Sequence, residues 1–406
     1  MRNTIASAAV LGAAAVSAVP YGPLNSGWGS NSGSASGSSP NSAPSSTGSQ
    51  GGWNSGSWGS WFGSSGVTPF KFPLSNGFPN VDANTLRQIE QQAHGTLPNG
   101  QLPTHIGDGS ATVFQLIRFN EVFEVAFFSS LLNNITSHAR GYDVSNHQFL
   151  EQFIVDAITV VQAQEELHAL GAGGILQTAG RDVPDPCEYV FPSDSLDTAL
   201  DFARTFTDVV LGTLQAAQVG LAANGDNEFL ALLGSVQGQE GEQNGFYRSF
   251  LNKVPSELPF LTLSDPRFAF SILNQKVIVP GSCSGKGNDD LFKAISILEP
   301  LNVVNPEPDL SNQDVKFTVS SNMTQSDFQK LKVVFINSQN VPVVSDIENV
   351  SVSGNTISFQ AYFAAADLIA NGLTISAVAD PSVNKLDTVP NVAAASIFGP
   401  GLIEIN

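Results

Sequence analysis

Apolar residues recur at intervals of three and four positions in four successive stretches of the chain. This spacing is typical of helices that bury one face. The four predicted helices cover about residues 112–133, 146–170, 195–222 and 227–251. Glycines at positions 171, 173 and 174 predict the end of the second helix. Together the four helices predict a four-helix bundle.

The pattern changes period after about residue 305. Short β-type runs, from VKFTVSS to LTISAVAD, alternate there with turn residues and predict a small antiparallel β-sandwich over 305–406. The predicted fold class is therefore mainly α, a four-helix bundle followed by this β-sandwich domain. The segment PEPDLSNQD is typical of a linker, so we expect the β-rich part to fold as a separate unit.

Two less regular segments flank the predicted helices. Residues 67–111 are expected to be extended, with one short helix near VDANTLRQIEQQAHG. Residues 254–299 are expected to be irregular, so the bundle domain with its C-terminal extension is assigned to 112–300. In the fourth helix, glycines at 234, 238, 241 and 245 lie on one stripe. Such a stripe predicts either a closely packed neighbouring helix or a local irregularity.

The N-terminal residues predict a secreted protein, either free outside the cell or in the cell wall. Residues 1–18 combine Arg2 with small and apolar residues, as a signal peptide does. Residues 19–66 are rich in glycine and serine, a composition typical of a disordered tether. We interpret the tether as a spacer; the alternative is adhesion to cell-wall polysaccharide through its tryptophan rings, or through the β-domain. These tryptophans are Trp28, Trp53, Trp58 and Trp61.

Composition indicates the redox compartment of the protein and the classes of partner that its charge disfavours. With 36 acidic and 17 basic residues, the formal charge of −19 disfavours nucleic acids and anionic membranes as partners. The two cysteines, Cys187 and Cys283, predict one disulfide in an oxidising compartment, the alternative being two buried free thiols. Three sequons predict glycosylation. They lie at Asn134, Asn322 and Asn349.

Polar residues interrupt the apolar faces of three predicted helices. They are Glu121 and Glu124 on the first, Glu165 and His168 on the second, and Glu240 and Gln243 on the fourth. Residues three apart share one face of a helix, so each pair reaches the same point in the bundle. Buried carboxylates that face one another repel unless a cation or a proton lies between them. This arrangement predicts a metal site inside the bundle.

The stretches FNEVFEVAFF, QEELHAL, DPCEYVFP, QEGEQNGFYRSFL and LPFLTLSDPRFAF resemble the fungal ferritin-like family of stress-response and late-sexual-development proteins. Plant desiccation-related proteins are more distant relatives. The resemblance covers residues 78–285, about half of the chain. It implies a di-iron type of site, with ligands at Glu121, Glu124, Glu165, His168 and Glu240.

The chain departs from this family at two positions. Gln243 stands where the family tends to have histidine, and the third helix offers Gln215 and Gln218 in place of a glutamate. An amide oxygen is a weaker ligand than a carboxylate or an imidazole and carries no charge. We therefore expect no cofactor or weakly bound iron at Glu121, Glu165, His168 and Glu240, with Glu124, Gln215 and Gln243 as secondary candidates.

The expected function is that of a secreted or wall-associated protein of stress or development, without enzymatic activity and with a degenerate metal site. The alternative is an extracellular iron-binding protein or di-iron oxidase. Metal content separates these two hypotheses.

Overall fold

A computed structural model describes residues 68–144 and 148–406 of the chain. The predicted signal peptide at 1–18 and the tether at 19–66 lie outside these residues. Five helices form the first part of the described chain. They are α1 (Ala83–Gln92), α2 (Asp108–Thr136), α3 (Gln148–Thr178), α4 (Leu196–Asn224) and α5 (Leu230–Phe250), the last preceded by a 3-10 turn at Asn227–Phe229.

Helices α2 to α5 form the bundle, which an aromatic core holds together. The rings of Phe123, Phe127, Phe202 and Phe206 lie within contact of one another, with centroids 5.0 to 6.5 Å apart. Such tilted and edge-on pairs bury large apolar area in favourable ring geometry. The bundle that the periodicity predicts is confirmed.

Local sequence sets the ends of α4. At its start, the Ser195 side chain accepts a hydrogen bond from the backbone N–H of Thr198, and the Thr198 side chain accepts one from the backbone N–H of Ser195. This reciprocal capping satisfies two backbone donors. At its end, Gly225 adopts a left-handed conformation with φ of 89°, which glycine reaches without steric cost.

Helix α3 continues beyond its predicted end and reaches Thr178. The Cβ position of Gly173 would lie 3.6 Å from Val183, and that of Gly174 would lie 3.7 Å from Leu102. Neighbouring segments thus pack closely on this part of the helix. The prediction of a helix end at these glycines was wrong, because packing outweighs the cost of about 1 kcal/mol per glycine.

The region after α5 also differs from its prediction. It contains α6 (Pro266–Lys276) and α7 (Lys286–Ala294) where an irregular segment was expected. Asp265 caps α6 by accepting a hydrogen bond from the backbone of Arg267, and Pro266 occupies the first helical position. Both are ordinary signals of a helix start. The predicted disulfide is confirmed: Cys187, in the α3–α4 crossover, is bonded to Cys283, just before α7.

The glycine stripe of α5 does not contact a neighbouring helix. Among the residues that the structure describes, no atom from another segment lies within 4 Å of the Cβ positions of Gly234, Gly238 and Gly241. Of the two alternatives that the stripe predicts, the closely packed neighbouring helix is therefore wrong. The helix buries its opposite face, which carries Leu233, Glu240 and Tyr247.

The C-terminal part is the predicted sandwich of two antiparallel sheets. One sheet has the order β1-β2-β6-β5 and the other β4-β3-β7-β8. The strands are β1 (Asn302–Val303), β2 (Asn312–Ser320), β3 (Lys332–Asn337), β4 (Val343–Asp346), β5 (Glu348–Ser353), β6 (Thr356–Ala364), β7 (Gly372–Ala379) and β8 (Ser396–Ile405). Three short helices connect them: α8 (Gln325–Phe328), α9 (Ala365–Leu368) and α10 (Val389–Ala395). The inner faces meet in an apolar core that includes Phe317, Phe335 and Phe363.

The bundle and the sandwich share a hydrophobic cluster. Every residue of β7 is buried, since its outer face packs against helices as well. Val209 of α4 and Phe268 of α6 lie in one cluster with Ile375 and Ala377 of β7. This shared cluster favours coupled unfolding, in contrast to the separate folding that the change of period predicts.

The three predicted glycosylation sites differ in accessibility. Asn322 and Asn349 are exposed in the sandwich, whereas Asn134 is half-buried in the last turns of α2. Across residues 68–144 and 148–406, no helix has the length and apolar character needed to cross a bilayer.

Candidate metal centre

Three bundle helices bring four polar side chains to one point. Glu121 lies on α2, Glu165 and His168 lie on α3, and Glu240 lies on α5. One ligand atom from each of the four falls within 4.8 Å of the others. The three glutamates are at most 1% exposed. The helical spacing that suggested these residues places them on facing surfaces.

The imidazole lies among the three carboxylates. His168 Nδ1 is 2.8 Å from Glu165 Oε2, 3.4 Å from Glu121 Oε2 and 4.0 Å from Glu240 Oε1. Three carboxylate oxygens have no hydrogen-bond partner among the described residues: Glu121 Oε2 and both oxygens of Glu240. Buried polar atoms without a partner are rare and costly in proteins. A further positive species therefore suits this site.

Burial and mutual repulsion perturb the acidity of the cluster. Burial, together with the charge of Glu165, raises the pKa of Glu121 to about 7, although His168 opposes the rise. Burial and the charges of neighbouring glutamates hold the pKa values of Glu124 and Glu240 well above their usual range. Holding these carboxylates ionised therefore requires a compensating cation.

The charge of the imidazole follows from its surroundings. Burial lowers the pKa of His168, but the charges of Glu165 and Glu121 and the contact with Glu165 Oε2 outweigh it and raise this pKa well above its usual value. In the absence of a metal, the imidazolium is therefore the one positive group among the three carboxylates. A metal on Nδ1 would have to displace that proton.

Two secondary candidates, Glu124 and Gln243, lie beside the cluster and bind other side chains. Glu124 Oε1 accepts a hydrogen bond of 2.8 Å from Asn120 Nδ2. Gln243 Nε2 donates to Glu165 Oε1 at 2.6 Å and to Gln164 Oε1 at 3.1 Å. The residue that replaces the expected histidine therefore holds Glu165 in place through its amide donor.

The third predicted helix, α4, supplies no ligand to this centre. Gln215 Oε1 accepts a hydrogen bond from Gln339 at the surface, and Gln218 Nε2 donates to Gln237. The structure thus contradicts Gln215 as a candidate ligand, because its side chain lies toward the sandwich. Helix α4 contributes Val210 and Leu214 to the apolar core of the bundle instead.

Sequence reasoning missed the buried acid of α4, Asp208. It accepts a hydrogen bond of 2.5 Å from Asn244 Nδ2 and lies outside the group formed by Glu121 and Glu240. A charged residue between Phe206 and Val209 in an apolar stripe was a usable signal. Sequence alone does not place its partners.

The donor set fits one cation and does not fit two. Oxygen and nitrogen donors together suit first-row transition metals, and the unpartnered oxygens of Glu121 and Glu240 converge on His168. A di-metal site of this type takes ligands from all four helices. Here the described ligands come from three helices only.

Comparison with known proteins supports the fold of the bundle. A search of curated proteins found no match to this chain. Residues 110–253 match the family model of the ferritin-like domain, and this segment runs from the start of α2 to just beyond the end of α5. The fold and this match together identify helices α2 to α5 as a ferritin-like domain.

Proposed function

We propose that this is a secreted ferritin-like protein whose bundle holds a single transition-metal cation and carries out no di-iron oxidation. The observation that carries the proposal is the pair of Glu240 oxygens, buried and without a hydrogen-bond partner among the described residues. A carboxylate in this position is destabilising for the fold unless a positive charge compensates it.

The charge of the cluster limits the metal content to one. Glu121, Glu165 and Glu240 offer three negative charges, and His168 must release its proton to become a ligand. One divalent cation neutralises most of that charge, and the fourth carboxylate nearby, Glu124, is hydrogen-bonded to Asn120. Gln243 adds no charge and is already hydrogen-bonded to Glu165.

The role we assign to the cation is structural. When bound, it supplies the positive charge that allows the three carboxylates to lie together, and so it stabilises the packing of α2, α3 and α5. Because the ligands come from three helices, the cation cross-links the bundle. The rival function, a di-iron oxidase, needs a second set of ligands that α4 does not provide.

Elemental analysis of the full-length protein, purified without chelators, tests this proposal. We expect no more than one iron, manganese or zinc per chain, and a loss of that metal in Glu240→Gln. The matched control is Glu242→Gln, which changes an exposed glutamate on the same helix and retains the metal. Two irons per chain, with oxygen consumption that Glu165→Ala abolishes, would instead establish the oxidase.

The biological setting is part of the same proposal. The resemblance to stress-response and late-sexual-development proteins, the Cys187–Cys283 disulfide and the signal-like residues 1–18 support secretion to the medium or the cell wall. Fractionation of a producing culture tests the location. Sedimentation with wall polysaccharide, with and without residues 19–66, tests adhesion through the tryptophans.

A further inference from the structure

A second buried acidic cluster lies where the bundle meets the sandwich. Asp208 comes from α4, Glu257 from the loop after α5, and Glu404 from β8. One carboxylate oxygen from each lies within 4.8 Å of the other two. Asp208 is 3% exposed and Glu404 is 4% exposed, so water does not solvate these charges.

Two arginines compensate part of this negative charge. Arg248 Nη1 pairs with Glu257 Oε2, and Glu257 Oε1 accepts a hydrogen bond of 3.3 Å from the backbone of Leu373. Arg204 Nη1 lies 3.0 Å from Glu404 Oε2 and forms an ion pair with it. The geometry of this pair does not meet that of a hydrogen bond. Glu257 is therefore satisfied within the protein, whereas Glu404 is not.

Four buried oxygens in this cluster lack a hydrogen-bond partner within the described chain. They are Asp208 Oδ2, Asn244 Oδ1 and both carboxylate oxygens of Glu404. Asn244 is 4% exposed, and its amide nitrogen donates to Asp208 Oδ1 at 2.5 Å. This hydrogen bond holds the amide against the acidic cluster and leaves the Asn244 oxygen free to bind a ligand.

The charges around the cluster do not balance. Arg204 also pairs with two more carboxylates at the edge, and Lys253 lies within 4 Å of both of these. The acids are Asp201, Asp208, Glu257, Glu307 and Glu404, and the cations are Arg204, Arg248 and Lys253. Five acids against three cations leave two negative charges, which is the charge that one divalent cation neutralises.

We propose that Asp208, Asn244 and Glu404 bind one divalent cation of the calcium class at the boundary of the bundle and the sandwich. All of the free donors are oxygens, which suit a hard cation. Calcium–oxygen distances of about 2.3–2.6 Å place opposite ligands roughly 4.6–5.2 Å apart. The carboxylate oxygens of Asp208 and Glu404 lie within 4.8 Å of each other, which is close enough for both to bind one such cation.

A proton shared by two carboxyl groups is the competing explanation. Burial raises the pKa of Glu404 to about 8 and that of Asp208 well above its usual range, so protonation could also remove the excess charge. However, Glu404 acts on Asp208 through its charge and forms no hydrogen bond with it. A shared proton requires oxygens in hydrogen-bond contact, whereas a cation fills the space between oxygens that are farther apart.

This cation would connect two parts of the fold. Asp208 and Asn244 belong to bundle helices, whereas Glu404 belongs to the sandwich. Binding would therefore stabilise the boundary between them. The site is independent of the proposed function, because none of its ligands belongs to the group of Glu121, Glu165, His168 and Glu240.

Thermal unfolding of the full-length protein tests the proposal. After treatment with EDTA and its removal, calcium chloride should raise the melting temperature by roughly 4 °C at 100 times its dissociation constant. Sodium chloride of equal ionic strength should not. Glu404→Gln and Asp208→Asn keep the side-chain shapes and remove one charge each, so we expect both to fold and to lose the response to calcium.

Glu240→Gln is the matched control, since it alters the other site and should leave the response to calcium intact. Equilibrium dialysis with calcium gives a second measurement, with one ion per chain expected for the unaltered protein and none for Glu404→Gln. The proposal is overturned if the unaltered protein binds no calcium. A melting temperature that changes with pH and not with calcium would overturn it in the same way and would support the shared proton. It is also overturned if the response persists in both variants.

Discussion

Replacing Glu240 by leucine tests whether its buried carboxylate destabilises the folded protein when no metal is bound. Glu240 is 1% exposed, and both of its oxygens lack hydrogen-bond partners in the described chain. Leucine has a similar volume and no polar atom. His168 still has Glu165 at 2.8 Å and Glu121 at 3.4 Å in the variant, so it is not left without a counter-charge. We therefore expect Glu240→Leu to stabilise the metal-free protein.

The size of the gain follows from the burial of the two oxygens. Each buried polar atom without a partner costs about 1–3 kcal/mol, and replacing buried charges by apolar groups yields up to about 4 kcal/mol. We expect the free energy of unfolding of the metal-free variant to rise by about 2–4 kcal/mol at neutral pH. With metal present, the order should reverse, because the variant no longer binds the cation.

The pH dependence of this gain has a defined sign. Burial, with the charges of Glu121 and Glu165, raises the pKa of Glu240 well above 4.5 in the folded protein. Below the unfolded pKa both states are protonated, and the charge penalty is absent. As pH rises above about 4.5 the unfolded state releases its proton first, so the penalty in the unaltered protein grows. The gain from leucine should thus be larger at pH 7 than at about pH 4.

Urea denaturation followed by circular dichroism, in EDTA at both pH values, measures these differences. Glu242→Leu is the control, because Glu242 is exposed on the same helix and its replacement should change stability by less than about 0.5 kcal/mol. If Glu240→Leu destabilises the metal-free protein at pH 7, the carboxylate is compensated within the protein, and the argument for a cation fails.

Three further predictions concern the whole fold. Removing the disulfide with Cys187→Ser and Cys283→Ser together should lower the free energy of unfolding by up to about 4–5 kcal/mol, since the bond spans 96 residues; an unchanged urea midpoint would contradict this. Phe268→Ala, at a fully buried residue of the shared cluster, should cost about 3–5 kcal/mol and lower one calorimetric transition common to bundle and sandwich; two separate transitions would refute the coupling. In EDTA, the melting temperature of the unaltered protein should fall between pH 4.5 and about 7, because burial raises the pKa of Glu121 to about 7 and its folded state keeps the proton longer than the unfolded chain; a rising melting temperature would contradict the prediction.

Sequence patterns identified the helices of the bundle because each buries one continuous face. The 3.6-residue period held through α2 and α3, and the polar residues that broke it, such as Glu121 and Glu165, are the ones that the structure brings together. The ends of helices were harder to predict. Helix α3 passes through three glycines because other segments pack against them, and such packing is not encoded in the local sequence.

The second cluster illustrates what a local pattern omits. Asp208, Glu257 and Glu404 are separated by 49 residues or more along the chain and meet only after the sandwich packs on the bundle. No periodicity within one segment relates them. The same holds for Gln215, whose partner Gln339 lies in the sandwich. Contacts between the bundle and the sandwich thus decided these two cases.

The position of the disulfide divides the ligands of the bundle site into two sets. The covalent loop closed by Cys187 and Cys283 contains Glu240, whereas Glu121, Glu165 and His168 lie outside it. In an oxidised but unfolded chain, this cross-link therefore does not by itself bring Glu240 into contact with the other three ligands. The complete donor set forms only when α2 and α3 dock on the looped helices, so metal uptake during refolding reports that docking step and not the formation of the disulfide.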